Sequence, residues 1–77
     1  MTPTAPALSG IFLTVNGTRR EIPAETTLSG LLESLDLDPR MVVVEHNRTI
    51  LRDRASYASL SLEAGDVVEI VQFVGGG

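Results

Sequence analysis

Apolar residues fall along this chain in two rhythms: every second position in several short runs, and every third or fourth position in one. Ile11-Phe12-Leu13-Thr14-Val15 is dense in β-formers and leads into Asn16-Gly17, a pair that tolerates the positive φ needed at both centres of a type I′ turn. The pattern predicts a hairpin, with Thr18 to Ile22 returning as the second strand and Pro23 ending it by removing a ladder donor. Leu28, Leu31, Leu32 and Leu35 then repeat at helical spacing. Thr26 or Thr27 is placed to cap that helix by accepting a hydrogen bond from a free backbone N–H. Gly30 inside the helix costs about 1 kcal/mol against Ala, which points to close packing there. Asp36 to Pro39 closes the helix, since the residue before Pro avoids the α region.

Met41 to Glu45 reads as a buried strand with β-branched residues on both faces, His46-Asn47 as a turn, and Arg48 to Leu51 as a short strand. Residues 53–62 hold Tyr57, Leu60 and Leu62 in weak order around one helical turn. Gly65-Asp66 is a tight turn, and Val67 to Val74 is the last strand. The order β-β-α-β-β-β predicts an α+β fold, a mixed sheet of four to five strands with one main helix packed on one face. A right-handed crossover through the helix lets the first and last strands lie parallel in the centre, which is the β-grasp (ubiquitin-like) arrangement. Residues 1–9, with two Pro and no periodicity, read as a disordered arm, 10–74 as the domain, and 75–77 as a flexible Gly tail. A single domain of 77 residues has a thin stability margin and little room for a deep pocket.

Alternation in the last strand sends Val68 and Ile70 to the helix-covered core, and Val67, Glu69, Val71 and Phe73 to the open face. Val71 and Phe73 thus form a candidate partner-docking patch beside the tail; the plainer alternative folds Phe73 over an edge. Gly75-Gly76-Gly77 has no side chains, so it can thread a narrow channel. A terminal carboxylate resists attack because of its charge, and joining it to AMP gives it a good leaving group. A frayed terminus is the competing explanation of the three Gly.

Charge narrows the partners. The net charge is −4, and all six basic residues are Arg. An acidic chain is unsuited to nucleic acid and suits a basic protein partner, although solubility alone also explains it. The chain has no Cys and one His, so no metal set is expected, and His46 reads as structural or solvated. Arg48, Arg52 and Arg54 are expected to pair with Glu45 or Asp53, and Asp36 and Asp38 to cap or solubilise their loop. No catalytic triad, phosphate loop or carboxylate pair for acid–base work stands out, so the chain is not read as an enzyme. No signal peptide or membrane span is expected, and cytoplasmic residence is the corresponding expectation.

From Ile11 to Gly77 the chain resembles the ThiS-type sulfur carriers of thiamine biosynthesis. The resemblance rests on Val15-Asn16-Gly17, Thr27-Leu28 with Leu31-Leu32-Leu35, Val43-Val44-Glu45-His46-Asn47, Leu51-Arg52, and above all the ending from Gly65-Asp66 through Phe73-Val74-Gly75-Gly76-Gly77. It implies that an E1-like (ThiF-type) adenylyltransferase uses ATP and magnesium to adenylate the carboxylate of Gly77. Sulfur from a persulfide donor such as a cysteine desulfurase then replaces AMP. The resulting thiocarboxylate supplies a ThiG-type thiazole synthase. Gly76 matches the penultimate Gly of the family, and Gly75 is an extra one. The carrier binds no cofactor itself and is a monomer when free in this reading. The arm at 2–9 departs from the family's usual short start. Carriers of molybdopterin synthesis usually have Pro-Pro before the final Gly pair, where this chain has Phe73-Val74. A ubiquitin-like modifier and a plain β-grasp interaction domain with an inert tail are the other rivals.

Overall fold

The computed structural model describes residues 10–73. It contains β1 (Gly10–Val15), β2 (Thr18–Pro23), α1 (Leu28–Ser34), β3 (Val42–His46), β4 (Thr49–Leu51) and β5 (Val67–Gln72), with 3-10 turns at Pro39–Met41 and Arg54–Ser59. The strands form one sheet in the order β2-β1-β5-β3-β4. β5 lies in the middle, parallel to β1 and antiparallel to β3. This is the expected mixed sheet with one main helix.

Local chemistry explains each element. Asn16 (φ 50°) and Gly17 (φ 80°) both take positive φ, the signs a type I′ turn requires, and the β1–β2 register closes around them from Val15↔Thr18 to Gly10↔Pro23. Thr27 is the helix N-cap, its Oγ1 accepting from the Gly30 N–H at 3.1 Å. Thr26 instead donates its hydroxyl to the Pro23 carbonyl. Leu28, Leu31 and Leu32 face the sheet, where they meet Leu13, Val15, Val44, Val68 and Tyr57 in one buried cluster. Asp53 starts the second 3-10 turn by accepting from the Ala55 N–H. That turn buries Tyr57, whose hydroxyl donates to the Leu51 carbonyl at 3.2 Å. Among the described residues no helix is long and apolar enough to cross a membrane.

Several sequence expectations are corrected. β2 ends at Pro23 as expected but includes it, one residue beyond Ile22; β2 is an edge strand, where a missing N–H is tolerated. β3 starts at Val42, after a 3-10 turn whose N-cap Asp38 accepts from the Arg40 N–H. It is buried on one face alone: Val42 and Val44 are fully covered, while Val43 is exposed. The second hairpin turns at Asn47 (φ 49°) and Arg48 (φ 74°), one residue later than read, and β4 is correspondingly shorter. β5 ends at Gln72, and the rest of the expected strand from Val74 lies outside the described residues. Among the described residues nothing from another element packs on Gly30: a Cβ there would meet Thr26 and Thr27 of its own capping turn at 3.4 and 3.5 Å.

Candidate functional site at the root of the glycine tail

The site is built on β5, which runs through the centre of the sheet toward the tail. At its start, the Asp66 carboxylate accepts from the Glu63 N–H at 2.9 Å and from Asn47 Nδ2 at 3.2 Å, and pairs with His46 Nε2 at 2.8 Å. Asn47 Oδ1 in turn accepts from the Val67 N–H at 2.8 Å. Burial pushes the Asp66 carboxyl up, but the hydrogen bonds from His46, the Glu63 N–H and Asn47 outweigh it and hold its pKa below the usual carboxylate range. His46 therefore belongs to the structure of the turn preceding β5. Among the described residues no group of three potential metal-binding side chains exists.

Further along β5, its two flanks differ. On one side the Phe73 N–H donates to the Met41 carbonyl at 2.8 Å, so the chain is still tied to the lead-in of β3 where the tail begins. On the other side β1 has already turned away. The Asn16 N–H reaches the Val68 carbonyl at 2.9 Å, and the Asn16 side chain then continues the pairing. Its Oδ1 accepts from the Ile70 N–H at 2.6 Å and its Nδ2 donates to the Ile70 carbonyl at 3.2 Å.

The open face of β5 carries both proposed docking residues: Val71 is 63% exposed and Phe73 44%. Val43 stands directly opposite Val71 on β3, and Ile50 lies on the adjoining β4; both are exposed. Neither was singled out in the sequence, although the alternation of buried Val42 and Val44 about Val43 was there to be read. A shallow cleft of ≈ 190 Å³, lined by Val42, Val43, Ile50, Leu51, Arg52 and Arg54, borders this patch. It is smaller than the roughly 300 Å³ at which small-molecule pockets begin. An apolar face with a polar surround is chemically suited to a protein surface.

Gly75, Gly76 and Gly77, the tail residues to which the sequence assigned the chemistry, lie outside the described residues. The expected pairing of Arg48, Arg52 and Arg54 with Glu45 or Asp53 is not formed: the ion pairs among the described residues are Arg40–Asp38 and His46–Asp66. Asp53 is occupied capping its own turn. Arg54 donates instead to the carbonyls of Pro39 and Val42, at 2.7 and 3.2 Å, bracing the segment that enters β3. Asp38, read as a loop cap, does cap the 3-10 turn and also holds Arg40 at 2.8 Å.

Comparison with known proteins bears on this geometry. Residues 13–77 match the sequence profile of the ThiS family. The chain is 43% identical over 51 residues to a Bacillus subtilis protein named sulfur carrier protein ThiS, covering 66% of this chain and 76% of that protein. It is also 43% identical over 65 residues to a thiazole synthase of Paramagnetospirillum magneticum, and 40% identical over 63 residues to one of Magnetococcus marinus. These alignments cover 84% and 82% of this chain but 20% and 19% of those proteins, so the chain spans about a fifth of their length. Among solved structures, the crystal structure of the thiamine biosynthesis protein ThiS from Geobacter metallireducens superposes with a TM-score of 0.73 at 31% identity, covering 87% of this chain and all of that one.

Proposed function

The chain belongs to the ThiS family, and from that premise we propose that it carries sulfur for thiamine biosynthesis on the carboxylate of Gly77. The observation that carries this reading is a family match that runs from within β1 through the final Gly-Gly-Gly. The exposed apolar face at the tail root supports it as a docking surface for the enzymes that act on the tail.

In this reading the Gly77 carboxylate attacks the α-phosphorus of ATP, bound with magnesium by an E1-like adenylyltransferase. Pyrophosphate leaves and an acyl-adenylate forms. The outer sulfur of a persulfide, formed on a donor such as a cysteine desulfurase, then attacks the carbonyl carbon, and AMP departs with the C–O electron pair. A thiol cleaves the resulting S–S bond and releases the thiocarboxylate. Thiazole synthase consumes it as a nucleophilic sulfur source. The chain supplies no general acid or base to these steps and acts as a co-substrate. Its share is a backbone without side chains at Gly75 and Gly76, and a face for recognition. The relatives named thiazole synthase, which contain a segment similar to this chain, support thiazole synthase as the sulfur acceptor. ATP and persulfide donors are cytoplasmic reagents, so the carrier acts there, as a monomer between its partners.

The test is the intact mass of the chain after incubation with an E1-like adenylyltransferase, ATP, magnesium and a sulfide source. The expected result is the mass change of one oxygen replaced by sulfur, lost when Gly77 is deleted. The absence of both that change and an AMP adduct, with an adenylyltransferase shown to be active on another carrier, would reject the carrier reading in favour of an inert interaction domain.

A further inference from the structure

The open face holds one arrangement that folding does not favour. Glu45 of β3 and Glu69 of β5 are directly opposite partners. The Phe73 N–H donates to Met41 and the Asn47 N–H to Val67, so these two glutamates fall in the hydrogen-bonded set, with Cα atoms about 5.5 Å apart. Their strand neighbours Val44, Val68 and Ile70 are buried against the helix, which sends both carboxylates to the open side. Like charges directly opposite in an antiparallel pair are destabilising.

Among the described residues neither glutamate makes an ion pair. The two ion pairs there involve Asp38 and Asp66. Arg19, which the β1–β2 register puts on the same face opposite Thr14, lies over the Phe12 ring at 4.1 Å. The nearest side chains on this face are aliphatic: Ile50 stands opposite Glu45 on β4, and the Val43–Val71 pair is the next one toward the tail; Arg52, just beyond β4 beside Val43 and Ile50, makes no ion pair with either glutamate. An exposed apolar surface with two uncompensated carboxylates inside it is complementary to an apolar surface bearing one cation.

We propose that Glu45 and Glu69 together receive one basic side chain of thiazole synthase, set among apolar residues that cover Val43, Ile50 and Val71. The inference rests on the carrier reading above. Thiazole synthase is the occupant because two proteins of that name contain a segment similar to this chain. The net charge of −4 draws a basic surface in from a distance. A guanidinium is suited to the place, since its planar fork can donate to both carboxylates at once. The repulsion kept in the free sheet is then relieved on docking, so the pair makes folding slightly worse and association better.

The experiment is calorimetric titration of purified thiazole synthase with the unmodified chain and its Glu45→Gln, Glu69→Gln and doubly substituted forms, with the Tm of each. Each single change is expected to raise Kd by about tenfold, to flatten its dependence on salt, and to leave Tm equal or higher. The double variant should be no weaker than the singles multiplied, because both carboxylates serve one cation. An unchanged Kd in the double variant overturns the inference, as does a lowered Tm that accounts for the loss. If the wild-type chain becomes a thiocarboxylate in the mass experiment yet does not bind thiazole synthase, this inference falls and the carrier reading stands. Failure of the mass experiment itself counts against the carrier reading.

Discussion

The side chain of Asn16 occupies the place of a strand residue beside Ile70, accepting from its N–H at 2.6 Å and donating to its carbonyl at 3.2 Å. The same residue holds φ 50° in the hairpin turn, so one Asn both turns β1 away and pairs with the strand it leaves.

Replacing Asn16 by Gly keeps the turn's backbone freedom and removes only the amide. It is expected to destabilise the fold by about 1–3 kcal/mol, because two partly buried backbone groups of Ile70 lose their partner. Urea unfolding checks this. Amide exchange at Ile70 should accelerate more than at Val44, which keeps its β4 partner Leu51.

Asp66 links pH to stability. Its folded pKa is below the usual value, so its contribution is fully present above the ordinary Asp pKa of about 3.9 and is lost as pH falls through the lower folded value. Asp66→Ala is expected to cost about 1–3 kcal/mol at neutral pH, since it orphans the Glu63 N–H and the Asn47 amide. The variant should lose stability less steeply than the wild type below about pH 4, as followed by chemical denaturation across the acid range.

Arg40 governs the titration of Asp38. The guanidinium bond, then the Arg40 N–H, hold the Asp38 carboxyl at about 2. In Arg40→Ala the Asp38 pKa should rise but stay below its ordinary value, because the backbone N–H of residue 40 remains. A carboxyl-detected NMR titration reads both, and a rise to the full ordinary value would refute the backbone contribution.

Gly30 should accept a methyl group. Its surroundings are ordinary contact distances to Thr26 and Thr27, and its φ is not positive. Gly30→Ala is expected to stabilise the protein by about 0.5–1 kcal/mol through the unfolded chain, measurable as a raised Tm.

Legibility in the sequence tracked the range of the interaction. Asn16-Gly17, Thr27 and the leucine stripe act within a turn or two of themselves, and the structure has the hairpin, cap and helix that they predict. The inward Val68 and Ile70 followed from alternation alone. What the sequence did not reveal depends on residues distant along the chain. Asn16 meets Ile70 across 54 positions, Arg54 turns to Pro39 and Val42 instead of a neighbouring acid, and Glu45 meets Glu69 only once the β3–β5 register is set. The Gly30 expectation failed for a related reason: a costly Gly implies a neighbour only if some element comes near it, and among the described residues none does.

The central position of β5 has a mechanical consequence. β1 and β5 run side by side in the same direction, so tension applied along β5 beyond Phe73, against a hold on the start of β1, slides the two strands lengthwise past each other. The bonds from Thr14 to Asp66, from Asn16 to Val68, and between the Asn16 side chain and Ile70 then bear load together rather than opening one at a time like a zip. An enzyme that draws the end of this chain into a channel would be pulling on the part of the sheet built to resist force, with the single amide of Asn16 as the last link in the clamp.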